Sequence, residues 1–235
     1  MDPNLTDDSR RRFVKGAMWM ISASTLGTGV MLSASASNAP ELSQYQPVFF
    51  TQDEWRFILA ACDRLIPADD NGPGALQTNV PVFIDLQMQG DFGQAKDWYM
   101  KGPFFENLPA EYGYQSPLTP AQTYQKGIGA TNAYCQQHLG QQFADLTHQQ
   151  QEQVLTQLQE DKLPLSGVSG KQFFDFLLQN TKEGYFADPI HGGNKDMAAW
   201  KMIGFPGARA SYLEWVDLHN VPYPMGPVSI NGDRG

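Results

Sequence analysis

The sequence predicts an all-α protein: one irregular helical domain with long Pro- and Gly-rich loops and an extended C-terminal tail. Two observations carry that reading. Four Ser/Thr residues each stand three positions before a Glu or Gln at the head of an apolar stripe, the pattern of a helix N-terminal cap. No Asn-Gly or Asp-Gly turn separates two alternating apolar runs, so strand signals are thin.

The first helix starts at Thr51, with Glu54 closing a capping box, and its stripe runs Trp55, Ile58, Leu59, Cys62, Leu65 and Ile66 to a stop at Pro67. In "VPVFIDLQMQG" the spacing of Val82, Leu86 and Gln89 suits a short helix, although the run could also alternate as a strand. Thr119 and Gln122 open a longer helix with Pro120 at its first position, where a missing N–H costs nothing. Its stripe is read as Tyr124, Ile128, Thr131, Cys135, Leu139 and Phe143, interrupted by Gly127, Gly129 and Gly140. Thr147 with Gln150 and Ser169 with Gln172 start two more, and Arg209–Leu218 is read as a further segment. The connections "PADDNGPGALQTNVP" and "KGPFFENLPAEYGYQSPLTP" are long enough to suggest binding loops. The domain is placed at 45–220 and the tail at 221–235, as either a strap on a partner or a disordered end.

Ahead of the domain, "SRRRFVKG" precedes an apolar, small-residue run and the small-x-small patterns Ala34-Ser35-Ala36 and Ser37-Asn38-Ala39. This is the grammar of an export signal, assigned to residues 1–36. Arg10, Arg11, Phe13 and Lys15 stand where the bacterial twin-arginine signal has its recognition residues. The run from 17 to 32 is too weakly apolar for a permanent anchor. The expected location is therefore the periplasm, reached through the Tat machinery, a route taken by folded proteins that hold a cofactor or escort one that does.

The 235 residues carry a net charge of −9. Residues 1–36 contribute +1 from three Asp, three Arg and one Lys, so their removal takes −9 to −10. That balance argues against nucleic acid and anionic lipid as partners. Fourteen Phe, nine Tyr and five Trp exceed ordinary usage and suit either a core or a subunit interface.

Catalytic signals are nearly missing. Two cysteines cannot build a four-thiolate cluster or zinc site. Cys135-Gln136-Gln137-His138 lacks the second cysteine of a haem-attachment motif, and Gly127-Ile128-Gly129 sits within a helix pattern where no phosphate loop forms. Cys62 and Cys135 are read as a pair able to form a disulfide in an oxidising compartment, as two inert buried thiols, or as a link to a partner. The sequence thus predicts no catalytic residue, no metal site and no cofactor on this chain. The richest stretch is 183–208, where Asp188, His191, Gly192, Gly193, Asn194, Lys195 and Asp196 gather around a Gly-Gly turn. It is read as a structural or partner-contacting loop. Catalysis, with His191 as a base oriented by Asp188 or Asp196, and metal binding are the alternatives.

"FFTQDEWRFILAACDRLIPADDNGPGALQTNVPVFIDLQM" and "TKEGYFADPIHGGNKDMAAWKMIGFPGARASYLEWV" together resemble the small subunit of bacterial membrane-bound gluconate 2-dehydrogenase, from about Phe49 to Val216. The resemblance implies a large FAD-containing dehydrogenase subunit and a multihaem cytochrome c subunit as partners, so that FAD and haem c belong to them. It also implies membrane association through the complex, and a signal that serves two proteins because the large subunit has none. The competing reading is a free-standing periplasmic oxidoreductase or sugar-acid-binding protein that uses the Asp188–Asp196 loop.

Overall fold

In a computed structural model, residues 40–105 and 108–235 are described. The signal residues Arg10, Arg11, Phe13 and Lys15, with the rest of 1–36, lie outside them. The four capping signals each start a helix. Thr51 and Glu54 cap α1 (Gln52–Leu65) reciprocally. Thr119 and Gln122 do the same for α3 (Pro120–Leu139), and Thr147 and Gln150 for α4 (His148–Gln159). Ser169 accepts the Gln172 amide at the head of α5 (Gly170–Phe186). Between α1 and α3, "VPVFIDLQMQ" is the helix α2 (Val80–Gln89). The short helix α6 (Ala198–Ile203) completes the set, and only isolated bridges represent β-structure among the described residues. The chain is all-α, and the described residues belong to a single unit.

Helix α5 is the centre, touching α1, α2, α3, α4 and α6. Phe173 and Leu177 on it are fully buried and share one core with Phe57, Tyr124 and Ile128. The ring of Phe173 lies edge-on to Tyr124 with centroids 5.7 Å apart. Gly127 permits this approach, because a Cβ there would lie 2.3 Å from the Phe173 ring. A glycine that weakens α3 as a helix thus lets α3 and α5 pack closely. The buried Tyr124 hydroxyl donates to Asn180 Oδ1 (2.9 Å) and to the Phe176 carbonyl (3.2 Å), so its polar end is satisfied.

Two expectations are corrected. Gly140, with φ 75°, ends α3 at Leu139, and Phe143 enters the core from a separate 3₁₀ turn, Phe143–Asp145. Arg209–Leu218 forms only one 3₁₀ turn, Leu213–Trp215. Within it the Ser211 hydroxyl accepts the Leu213 amide, a local bond that competes with a helix. Tyr212 and Trp215 instead pack edge-on to Tyr223.

The long loops are folded against the helices. Trp98 and Tyr114 meet edge-on at 4.9 Å and both pack on Phe176 of α5, anchoring the 90–118 connection. The Tyr185 hydroxyl donates to the Pro73 carbonyl (2.6 Å) and holds the 67–79 connection. The tail also stays on its own chain: Val228 bridges Gly207, and Gly235 N–H donates to Pro227 O (2.9 Å).

The strap 40–50 that leads into α1 has little regular structure, and its 45–50 part is fastened by one buried carboxylate. Asp85, fully buried on α2, accepts from the Tyr45 hydroxyl (2.7 Å) and from the amides of Val48 (2.7 Å), Phe49 (3.0 Å) and Phe50 (3.1 Å). Replacing Asp85 with Ala strands these four donors. A buried donor left unsatisfied costs about 1–3 kcal/mol, so Asp85→Ala should lose at least about 1–3 kcal/mol in urea denaturation. A loss below about 1 kcal/mol would show that the strap is held by something else.

Candidate functional site

The residues singled out between 188 and 196 lie where the chain leaves α5 and turns into α6. Asp188 is buried and caps a 3₁₀ turn, Pro189–His191. Its Oδ1 accepts the Ile190 amide (3.1 Å) and its Oδ2 accepts the Ile230 amide (2.7 Å). Both oxygens are therefore used for backbone, one of them to hold the C-terminal tail. They do not orient His191, which is exposed.

Asn194 is fully buried in a left-handed conformation, φ 44°. Its Nδ2 donates to the Ala187 carbonyl (2.9 Å), and its Oδ1 accepts the Ala199 amide (2.9 Å). This one amide side chain joins the end of α5 to the start of α6. Asp196 and Met197 come next with φ of 58° and 52°, so three non-glycine residues within four are left-handed. Asn and Asp tolerate that conformation, and Met197 stores strain that the surrounding bonds hold in place. Gly193 runs against α5 so closely that a Cβ would lie 2.2 Å from the Gly184 carbonyl oxygen, and Gly192 (φ 90°) turns the chain over Val82 and Leu86. Lys195 donates its amide to Thr78 O (3.1 Å) and pairs its ammonium with Glu41 (2.6 Å).

The stretch is thus a junction of α5, α6, the 67–79 loop, the N-terminal strap and the tail. It lines neither of the two shallow depressions described, each of about 330 Å³. One of these lies beside Arg56, Ala60 and His148, the other beside Asp69, Asn71, Tyr185 and Met202. Among the described residues no three of His, Cys, Asp and Glu gather as a metal site, and no helix is long and apolar enough to cross a membrane.

The two cysteines are not joined in this structure. Each is a free, buried thiol on a different helix. Cys62 Sγ lies 3.8 Å from the Thr181 hydroxyl, and that hydroxyl already donates to the Leu177 carbonyl (2.7 Å). Burial pushes the Cys62 thiol up to about 12 and that of Cys135 up to about 11.

Sequence reasoning missed Asp85 and Asn79. A lone acid inside the apolar run "VPVFIDLQM" was the available signal for Asp85, since a charge there needs partners. Asn79, buried with φ 57°, donates to the Pro40 carbonyl (2.8 Å) and carried no such mark. It also missed a concentration of exposed apolar side chains near the C-terminus. Phe186, Ile203, Phe205, Leu213, Val216 and Ile230 all expose more than a third of their surface.

A family model described as gluconate 2-dehydrogenase subunit 3 matches residues 52–207, more than half of the chain. No curated protein and no solved structure matches it.

The thiols make a checkable pair. At pH 8 both should resist a thiol reagent in the folded chain and react fully in urea, because the reactive thiolate is absent when burial raises the pKa. The folded chain keeps its thiol protons above the ordinary value of 9.0, so their contribution to stability is complete below pH 9 and is lost as pH rises toward 11–12. Urea midpoints should therefore begin to fall above pH 9, and replacing both cysteines with Ala should remove the earliest part of that fall. Rapid labelling of the folded chain at pH 8 would contradict the buried placement.

Proposed function

The chain belongs to the gluconate 2-dehydrogenase subunit 3 family, and from that premise we propose that it is a non-catalytic small subunit of a periplasm-facing, membrane-bound dehydrogenase complex. In this reading it escorts a large FAD-containing subunit through twin-arginine export and stabilises it. A multihaem cytochrome c subunit receives the electrons, and FAD and haem c sit on the partners.

The observation that carries the reading is how surface chemistry is divided along the chain. Residues 40–185 carry seventeen acids against eight bases, whereas 186–235 carry five against four. That near-neutral quarter holds most of the large apolar side chains that are exposed among the described residues. It is also knitted together. Asp188 holds Ile230, Tyr212 donates to the Gly207 carbonyl, Arg209 donates to the Gly226 carbonyl, and Ala208 donates to Val228 O. A fixed, apolar, weakly charged surface on an acidic protein is the composition of a lasting subunit interface. In a subunit family, the flavoprotein is the occupant we assign to it.

Catalysis by the chain finds little support in the junction's geometry, because Asp188 and Asn194 are committed to backbone groups. His191→Ala should accordingly leave turnover per bound flavin within a few-fold. Removing a general base would instead lower it by about 10²–10⁴.

Two tests address the two parts of the proposal. Changing Arg10, Arg11 and Arg12 together to Lys should leave this chain and the flavoprotein in the cytoplasm, and normal periplasmic activity from that variant would refute the escort role. Changing Ile203 and Leu213, both more than half exposed, to Asp should barely alter the subunit's own melting, since exposed substitutions stay within about 0.5 kcal/mol. It should reduce co-purification with the flavoprotein at least tenfold. Unchanged co-purification would move the interface elsewhere.

A further inference from the structure

One of the two depressions opens beside the C-terminal apolar surface. It is lined by Ile66 and Pro67 after α1, by Pro73, and by Phe186 and Met202. Phe186 and Met202 each expose more than a third of their surface, so they belong to the depression and to the apolar surface at once. The Trp200 indole donates to the Phe186 carbonyl (2.8 Å), and Phe205 packs edge-on to Trp200 with centroids 5.0 Å apart. Helix α6, which also carries Ile203, is thereby fixed at the rim.

The lining offers little to a polar guest. The Tyr185 hydroxyl donates to the Pro73 carbonyl (2.6 Å) and also lies 3.7 Å from Met202 Sδ, so it is already used. Met202 is unbranched and adapts to what it touches, and it lies against Gly72, where a Cβ would stand 2.4 Å from its sulfur. Charge enters only from Asp69. Its carboxylate accepts the Asn71 side chain (3.0 Å) and the amides of Asn71 (2.8 Å) and Gly72 (3.2 Å). Those bonds, the Asn71 side chain first, hold Asp69 below the usual carboxylate range, so it is an anion at neutral pH. Asp69 and its neighbour Asp70 are exposed, and no ion pair among the described residues includes either.

A volume of about 330 Å³ is at the lower end of the range for small-molecule pockets, about 300–1,000 Å³. Such pockets enclose most of their ligand, which a shallow depression cannot do. A side chain delivered by a docked protein needs no such enclosure, because the surrounding interface excludes water from it. Laying a protein over this edge also takes the Asp69 charge out of water, which is costly without a cation opposite.

We propose that the flavoprotein seats one large apolar side chain in this depression and sets an Arg or Lys of the same segment against Asp69 and Asp70. The inference rests on the reading of the C-terminal quarter as the flavoprotein's interface.

The test is photo-crosslinking in the purified complex, with a benzophenone side chain placed at exposed Asn71 or, as a report on the interface alone, at Leu213. From Asn71 the link should fall on the flavoprotein, at or beside a large apolar residue with an Arg or Lys within a few positions. A link to the cytochrome subunit, to a second copy of this chain or to an acidic segment overturns the seat. Links from Leu213 with none from Asn71 also overturn it and leave the interface standing, whereas no flavoprotein link from either position overturns both. Met202→Trp, which fills the depression from a partly exposed position, should lower co-purification at least about tenfold with the subunit's own melting unchanged. Co-purification close to that of the wild type overturns the seat. Asp69→Asn with Asp70→Asn should lower co-purification at low salt and flatten its salt dependence; an unchanged salt dependence overturns the cationic partner.

Discussion

The fold depends on a buried carboxylate with no cation beside it. Asp85 lies in the middle of an otherwise apolar helix, and its charge is met by three backbone amides and the Tyr45 hydroxyl. Taking an ion out of water is costly unless hydrogen bonds replace its hydration, and a carboxylate that accepts several backbone N–H groups is so compensated. The benefit is reciprocal. The strap 45–50 has no helix or sheet ladder to absorb its own amides, which would otherwise be buried without partners. Burial, then the hydrogen bond and charge of Asp85, raises the Tyr45 hydroxyl well above its ordinary value, so it remains a donor. Phe50 then enters the core and Thr51 caps α1. A single side chain on α2 therefore holds the stretch that leads into α1.

Four of the five longer helices were legible because their signals are local, while the pattern of α2 suits a short helix or a strand. A threonine or serine that captures the amide three residues on acts within one turn, and the apolar stripes behind Thr51, Thr119, Thr147 and Ser169 needed no knowledge of partners. The features that could not be read were set at a distance. Gly127 counts as a defect in an isolated helix, and only the Phe173 ring against it reveals its use. Helix α6 has six residues, fewer than two turns, so no periodicity announces it; the Asn194 side chain on the Ala199 amide helps begin it. The failed expectation at Arg209–Leu218 has the same origin. Its aromatic residues find Tyr223 across a turn instead of a helical neighbour.

The Asp188–Asp196 stretch shows how turn-formers and reactive side chains can be confused in a sequence. Acid, imidazole, amide and ammonium within nine residues suggest chemistry. In the fold, Asp188 and Asn194 are occupied with backbone groups, and Lys195 reaches the strap. The Gly-Gly turn was legible as a turn. That Gly193 must pass over the Gly184 carbonyl was not, because the contact joins the loop to the helix it has just left.

This division of labour explains how so small a chain can present a fixed surface without a sheet. The helical body, closed around α5, bears nearly all the excess negative charge, which opposes unspecific association. The C-terminal quarter has little regular structure, yet Asp188 holds it at Ile230 and the Val228 bridges hold it at Gly207 and Arg234. Two of the three buried side-chain donors without a partner among the described residues, Arg209 Nε and Trp215 Nε1, belong to this quarter. A segment that exposes Leu213 and Val216 while leaving such donors unmet is less complete by itself than the body that carries it. A second protein laid on this surface would bury the apolar side chains, which is the physical sense in which this chain is built as a subunit.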